Sequence, residues 1–297
     1  MEHKATGLFY GVMAYTLWGL LPVYWHQLKK ATAFEILANR GIWALVFCLL
    51  LLGARKQLGK TIAIIRTRRT FALLALSSMF LTINWGVYIW AVSVNRVVEA
   101  SLGYYITPLV TVAAGVLVFR ERLRTFQWVA VALAAIGVVV LTVEFGSVPW
   151  IALAVSISWS SYGFMKKSLN LGALESLSIE TLIALIPCVS YMVFLENQQR
   201  AQLGHDSKST LLLVGAGVVT VVPLLWFNGA TTRLPFTITG LLQYITPTIM
   251  FLIGTLINHE AMPAGRLIGF AFIWLALTFL GTDLVRSNRT TASALKN

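Results

Sequence analysis

Charged residues are scarce in this sequence. Only 11% of its 297 residues are Asp, Glu, Lys or Arg, whereas 58% are hydrophobic and the mean hydropathy is +0.78. An average globular domain has roughly a quarter of its residues charged. The composition therefore excludes a water-soluble globular protein and predicts a chain that lies in a lipid bilayer.

The side chains that most enzymes use are also few. The sequence contains two aspartates, Asp206 and Asp283, four scattered histidines, and two cysteines inside apolar runs. Neither a His-Glu-x-x-His nor a Gly-x-Ser-x-Gly motif is present, and the two aspartates lie too near the ends of apolar runs to form an intramembrane dyad. We expect no enzymatic activity, no metal and no cofactor.

The positive charge of the chain has a membrane explanation. Its net charge is +12, but the basic residues stand in short breaks between apolar runs and do not gather in one polar patch. This pattern is typical of loops beside anionic lipid head groups and differs from that of nucleic-acid-binding proteins. We expect the bilayer as a partner and no nucleic acid.

Ten apolar runs have about the 20 residues that a helix needs to cross a bilayer. They lie near residues 7–28, 35–53, 71–93, 97–118, 126–144, 148–165, 175–195, 209–228, 236–257 and 266–284. The predicted fold class is an all-α membrane protein with ten transmembrane helices. With the N terminus inside, 16 of the 23 Lys and Arg residues lie on cytoplasmic segments. The positive-inside rule thus predicts a multi-pass protein of the cytoplasmic (inner) membrane with both termini in the cytoplasm.

The sequence contains an internal repeat. Shifting it by 139 residues places Tyr105-Ile-Thr-Pro108 on Tyr244-Ile-Thr-Pro247 and Glu121 on Glu260. Each half, 1–145 and 146–297, then holds five spans. Because five is odd, the second half must enter the membrane inverted. Inverted repeats of this kind enclose a substrate cavity near the bilayer midplane and favour alternating access.

Proline residues mark the expected cavity. Pro108 and Pro247 lie near the middle of spans four and nine, and each should kink its helix because it lacks an N–H group. The freed carbonyls need burial in protein or a wet cavity. The polar residues on the same faces are Ser101, Tyr104 or Tyr105, and Gln243 or Tyr244. We predict that these line a substrate cavity; the alternative is a purely structural kink with tyrosines packed beside it.

Two charged residues lie inside spans, where charges are functional candidates. Arg40, beside Asn39, aligns at an offset of 140 residues with Glu180, so opposite charges occupy equivalent places in the two halves. The pair could bind both ends of a zwitterionic substrate or form a gating ion pair, or Glu180 could take up a coupling proton. The alternative for both residues is snorkelling to the head groups.

Aromatic residues offer further candidates. Asn84, Trp85 and Tyr88 on span three could form a pocket that stacks on a flat substrate. For Trp25 an interfacial belt position is favoured.

These motifs together resemble RarD-type proteins of the EamA branch of the drug/metabolite transporter superfamily. The resemblance is carried by Glu99-Ala-Ser-Leu-Gly-Tyr-Tyr-Ile-Thr-Pro-Leu-Val, Asn84-Trp85, Ile89-Trp90-Ala91-Val92, Glu35-Ile36-Leu37 before Arg40, Ile179-Glu180-Thr181, Gln243-Tyr244-Ile245 and Phe272-Ile273-Trp274. It implies a five-plus-five inverted-repeat permease of the bacterial inner membrane, an exporter of a small molecule such as an amino acid, a related metabolite or an amphiphilic drug.

Two other functions remain open from the sequence. A passive uniporter or channel would share the spans and the cavity, although it would ordinarily show rings of charge or repeated carbonyl motifs. A membrane sensor would bind the ligand without moving it. A homodimer is also open, because the spacing of Gly7 and Gly11 could pack helices within one chain or between two.

Overall fold

The computed structural model describes residues 2–28, 30–93, 97–145, 149–253 and 264–294, and within these ranges the chain is helical with no β-strand. The helices are α1 (Glu2–Trp25), α2 (Ala33–Ala54), α3 (Leu58–Arg66), α4 (Arg68–Ser93), α5 (Val97–Leu117), α6 (Thr125–Phe145), α7 (Trp150–Leu169), α8 (Ala173–Asn197), α9 (Ser207–Thr231), α10 (Phe236–Leu242), α11 (Ile245–Leu252) and α12 (Ala264–Ala294), with a short 3-10 helix at His26–Leu28.

The helices follow the predicted spans in order. Six of them, α1, α2, α4, α6, α8 and α9, are long and apolar enough to cross a membrane, and shorter apolar helical stretches cover residues 102–117, 236–252 and 267–283. An all-helical, multi-pass membrane fold is therefore confirmed. The count of ten crossings and the direction of the termini stay predictions.

Two details differ from the sequence-based expectation. The polar segment 54–70, expected to be a loop, contains the short basic helix α3. Span nine, expected to be one kinked helix, is divided into α10 and α11. The first difference arises because a nine-residue helix is too short to produce a distinct hydropathy signal.

Helix packing follows the repeat. By chain order, α1, α2, α4, α5 and α6 correspond to α7, α8, α9, α10–α11 and α12. Three corresponding pairs pack on each other, namely α2 on α8, α5 on α10 and α6 on α12. The remaining main contacts occur twice: α1 on α9 is matched by α7 on α4, α5 on α7 by α11 on α1, and α2 on α9 by α8 on α4. Exchanging the halves therefore gives a similar pattern of helix contacts, which agrees with the internal repeat, whereas the inverted orientation of the halves stays a prediction.

The Gly7 and Gly11 stripe on α1 packs inside the chain. A Cβ atom on Gly7 would lie 2.8 Å from the Arg233 Cβ, and one on Gly11 would lie 2.9 Å from Leu242 Cδ1. The small residues let α1 approach α10 and the end of α9 closely. This stripe is thus occupied by intrachain contacts.

The start of α9 is fixed by a capping side chain. Asp206 Oδ2 accepts hydrogen bonds from the Ser209 hydroxyl at 2.6 Å and the Ser209 N–H at 3.0 Å. These bonds to the ionised carboxylate hold the pKa of Asp206 below its usual value. The cap satisfies backbone N–H groups that the first turn of a helix leaves without partners.

The tightest helix crossing generates a stability prediction. A Cβ atom on Gly217 in α9 would overlap the backbone of Trp43 in α2, whereas one on Gly86 in α4 would meet nothing within 4 Å. We expect Gly217→Ala to destabilise the protein by about 1–3 kcal/mol, the usual cost of overpacking. Thermal unfolding in detergent measures this effect, and Gly86→Ala, an equally conservative change, should leave the melting temperature unchanged or higher. Equal melting temperatures for the two variants would contradict the close α2–α9 approach.

Candidate functional site

A cavity of about 390 Å³ lies between the two halves of the chain. Helices α1, α2, α4 and α5 of the first half and α7 and α10–α11 of the second supply its walls. The lining residues are Tyr15, Trp18, Leu21, Pro22, Trp25, Arg40, Asn84, Trp85, Tyr88, Tyr104, Thr107, Val155, Trp159, Gln243, Thr246, Pro247 and Met250. Aromatic walls with a few polar groups, at this size, are typical of sites for small organic ligands.

The two copies of the Thr-Pro motif meet at this cavity. Tyr104 and Thr107 of the first copy and Gln243 and Thr246 of the second all line it. These residues correspond in pairs at the repeat offset of 139. Equivalent positions of the two halves therefore face one shared space.

The helices that carry these motifs cross at short distance. A Cβ atom on Gly240 would lie 3.0 Å from the carbonyl oxygen of Pro108, so a larger residue would require α10 and α5 to move apart by a few tenths of an ångström. Gln243 Nε2 donates to Thr111 Oγ1 at 3.3 Å, and the Thr111 and Ser160 hydroxyls lie 3.0 Å apart. Hydrogen bonds between the halves thus continue directly behind the cavity wall.

The two prolines affect their helices differently. Before Pro247 the backbone turns tightly, because Gln243, Tyr244 and Thr246 donate their N–H groups three residues back, at 3.1–3.3 Å. This turn separates α10 from α11. Pro108, in contrast, lies inside α5, which continues through it. Both prolines are buried, and Pro247 lines the cavity.

Arg40 enters the cavity between two indole rings. Its guanidinium carbon lies 5.1 Å from the centre of the Trp25 ring and 4.7 Å from that of Trp85. Its Nε donates to Thr220 Oγ1 at 3.0 Å. Trp25, for which the sequence favours an interfacial belt position, is therefore part of the site. Cation–π contacts on two sides hold the charged group in one place.

Glu180 lies elsewhere, in a buried ion pair with Lys166. The Lys166 Nζ atom is 2.6 Å from Glu180 Oε2, and both side chains are almost fully buried. Ser77 donates to Glu180 Oε1 at 2.7 Å, and Lys166 also donates to Ser176 Oγ at 3.0 Å. Lys166, one of the 16 basic residues that the sequence assigns to cytoplasmic segments, is buried in the last turn of α7. Arg40 and Glu180 therefore do not face each other in this conformation.

Three other predicted residues, Asn39, Tyr105 and Tyr244, are not among the described lining residues of the cavity. Asn39 donates to the Glu35 carbonyl at 3.0 Å and accepts from the Trp43 indole at 3.3 Å. Tyr105 packs edge-on against Phe270. Tyr244 is fully buried, and the side chain of Ser101 lies outside the described residues. Contact between these residues, or Glu180, and a substrate stays a prediction.

Sequence reasoning did not assign the α1 wall of the cavity. Tyr15, Trp18, Pro22 and Trp25 follow one another at intervals of three, four and three residues, so they form one stripe of the helix. That spacing is a readable helical pattern, but by itself it does not distinguish a cavity wall from a lipid-facing stripe of aromatic residues. Trp159 in α7 had no comparable signal.

The lining residues lie towards one end of the bundle. They come from the C-terminal halves of α1 and α4 and the N-terminal halves of α2, α5 and α7. At the other end the Glu121 carboxylate accepts from the N–H groups of Phe236 at 2.6 Å and Thr237 at 2.9 Å, at the start of α10. Lys167 lies 3.4 Å from the same carboxylate. Glu260, the repeat equivalent of Glu121, lies outside the described residues.

Together these features define a multi-pass helical membrane protein with a ligand-sized cavity between two similar halves. The chain belongs to the EamA-like transporter family, whose profile matches residues 5–143 and again 147–282. It is 44% identical to Protein RarD of Streptomyces exfoliatus, over 99% of this chain and 94% of that protein. It is 39% identical to an uncharacterized transporter of Vibrio cholerae, over 97% of this chain and 96% of that one.

A solved crystal structure shares the fold. It matches with a TM-score of 0.72 at 18% identity, covering 94% of this chain and 98% of the other. Family membership and the relatives' names make this chain a membrane transporter of the drug/metabolite type, with RarD proteins among its relatives.

The buried ion pair generates a prediction that separates structural from transport roles. Lys166→Met should cost about 3–5 kcal/mol, because it leaves the Glu180 carboxylate buried without its partner. The double variant Lys166→Met/Glu180→Gln should recover most of that loss, since no unpaired charge remains. Melting temperature and the yield of monodisperse protein measure both effects, with Lys208→Met at an exposed lysine as the control.

If the Lys166–Glu180 pair has only a structural role, we expect the double variant to transport still. A folded double variant that has lost only accumulation driven by a pH gradient would instead identify Glu180 as a proton-coupling residue.

Proposed function

We propose that this protein is a secondary transporter of the bacterial inner membrane that moves a small metabolite or drug-like molecule by alternating access, in the direction of export. One observation carries the proposal. Tyr104 and its repeat equivalent Gln243 line the same cavity, and so do Thr107 and its repeat equivalent Thr246. Each half contributes equivalent positions to the same site. A site shared in this way can be opened to either side by exchanging the shapes of the two halves.

The end of the bundle opposite the cavity, where Glu121 and Lys167 lie, is the closed end, and its contacts support the same mechanism. Glu121, Lys167 and the start of α10 join three segments by hydrogen bonds and an ion pair, with no covalent link. Contacts of this kind can break and reform during a transport cycle. With the N terminus in the cytoplasm, the closed end is cytoplasmic and the cavity lies in the outer half. The conformation is then outward-facing.

The proposed cargo contacts are the predicted residues that line the cavity, namely Arg40, Asn84, Trp85, Tyr88, Tyr104 and Gln243. Amino acids, related metabolites and amphiphilic drugs are all compatible with a cavity of about 390 Å³ that combines aromatic walls with amide and hydroxyl groups. A single chain supplies every one of these residues. A homodimer is therefore not required for the site to be complete.

Counter-flow tests transport directly. The cargo is first identified by comparing the metabolites inside and outside cells with and without the gene. Proteoliposomes loaded with unlabelled cargo should then accumulate the labelled compound transiently, because a carrier exchanges one molecule for another. Uptake that rises without saturation would indicate a channel, and binding without any uptake would indicate a sensor. Proteoliposomes that contain the Trp85→Ala variant should show reduced uptake, because the substitution removes an indole ring from the cavity wall.

Cysteine labelling tests the orientation and the open side. In a background with both native cysteines replaced by alanine, a thiol introduced by Met250→Cys should react with a membrane-impermeant maleimide added outside intact cells, since Met250 lines the cavity. A thiol introduced by Gly59→Cys on the exposed face of α3 should react only after permeabilisation. The reverse pattern would place the cavity on the cytoplasmic side and the termini outside.

A further inference from the structure

Among the described residues, no carboxylate compensates the positive charge in the cavity. Among the described residues that line it, only Arg40 has a formal charge. No described carboxylate lies within ion-pairing distance of the Arg40 guanidinium, and Glu180, its counterpart in the repeat, is neutralised by Lys166. The separation of these two charges argues against a site that holds both ends of a zwitterion between them. The cavity instead favours a negatively charged group at one end.

The hydrogen bonds of Arg40 leave room for such a group. A guanidinium has five N–H donors, and the structure assigns one of them, on Nε, to Thr220. For the two terminal nitrogens, the described residues provide no acceptor within hydrogen-bond distance. Trp25 and Trp85 contact the group through their rings, 5.1 and 4.7 Å from its carbon, and do not replace the missing oxygen acceptors. A planar edge with paired donors matches a carboxylate.

The walls beside Arg40 indicate what the rest of the ligand is. Trp18 and Trp159 meet edge-on at 5.1 Å between ring centres, and Tyr88 and Tyr104 meet at 5.9 Å. These rings present apolar surface to the cavity and pack against one another, so their positions are fixed before a ligand arrives. A flat apolar body would bury its surface against them. Inorganic anions have no such body.

We propose that Arg40 is the subsite for the carboxylate of an amphiphilic organic anion, whose flat apolar body lies against the aromatic walls of the cavity. The inference rests on the proposed transport function and specifies the class of its cargo. A carboxylate suits the site better than a phosphate monoester, because the described lining residues offer one positive charge and a dianion would keep an unbalanced negative charge in the cavity.

The experiment compares four probes on the purified full-length protein in lipid nanodiscs. They are 3-phenylpropanoate, its neutral amide, 3-phenylpropylamine and acetate, which change the charge or remove the apolar body. Binding is followed by quenching of tryptophan fluorescence and by calorimetry. We expect 3-phenylpropanoate to bind at least about tenfold more tightly than each of the other three, since a hydrogen bond to a charged group typically contributes this much or more.

Variants of Arg40 test the assignment of the subsite. Arg40→Gln should weaken 3-phenylpropanoate about tenfold to a hundredfold and leave the amide nearly unchanged. Arg40→Lys should recover part of the loss, because it restores the charge without the planar pair of donors. The matched control is Arg233→Gln, since Arg233 also lies over an aromatic ring, that of Tyr10, but outside the cavity. It should bind all four probes as the unmodified protein does.

Several results would overturn the proposal. They are equal or tighter binding of the amide or amine, unchanged carboxylate binding by Arg40→Gln, equally tight binding of acetate, and no saturable binding of any probe. If Arg40→Gln does not fold, the comparison of probes on the unmodified protein decides. Selective carboxylate binding without counter-flow would refute transport and keep the subsite, whereas counter-flow of only uncharged or cationic cargo would refute the subsite and keep transport.

Discussion

A backbone that leaves the α-helical pattern inside a membrane must satisfy its polar groups within the protein, and this constraint explains the centre of the fold. At Gln243 and Tyr244 the chain changes from α10 to α11 through three hydrogen bonds that each reach back three residues. This change comes just before Pro247, which has no N–H to donate to the carbonyl of Gln243. Such a break is tolerated only where protein or a wet cavity surrounds it. Gly240 packs on the Pro108 carbonyl, and Gln243 faces the cavity. The broken helix and the binding space are thus two consequences of one local sequence.

The charges inside the bundle divide into two kinds. Lys166 and Glu180 neutralise each other, and Ser77 and Ser176 supply further hydrogen bonds, so desolvation of the pair is offset at the pair itself. Arg40 has no such compensation among the described residues, and two indole rings replace part of its hydration. A compensated pair connects helices permanently, whereas an uncompensated charge is stabilised by whatever ligand enters. Charged residues therefore connect helices at Lys166 and Glu180, whereas at Arg40 a charged residue serves the proposed recognition of a ligand.

Much of this organisation is readable from the sequence, because hydropathy and the repeat depend on local patterns. The helical membrane fold follows from apolar runs. The Thr-Pro motifs gave Tyr104 or Tyr105 and Gln243 or Tyr244 as candidates, and of these Tyr104 and Gln243 line the cavity. Contacts between side chains of different helices are harder to predict from the sequence. Lys166 lies close to a helix end, so its charge suggested a loop, and only tertiary packing places it beside Glu180. The α1 stripe around Trp18 had a helical spacing but no polar residue to distinguish it from lipid-facing aromatics.

The position of Arg40 also bears on how conformational change follows binding. In the proposed alternating-access cycle the cavity passes through a state closed to both sides, in which water is scarce and an unpaired charge would cost several kcal/mol. Trp25 and Trp85 offset only part of this cost, since cation–π contacts contribute about 2 kcal/mol when desolvated. An anionic cargo would remove the remainder by pairing with the guanidinium. The loaded protein would then close more readily than the empty one, so a charge that is unfavourable for stability would favour movement with cargo over movement without it.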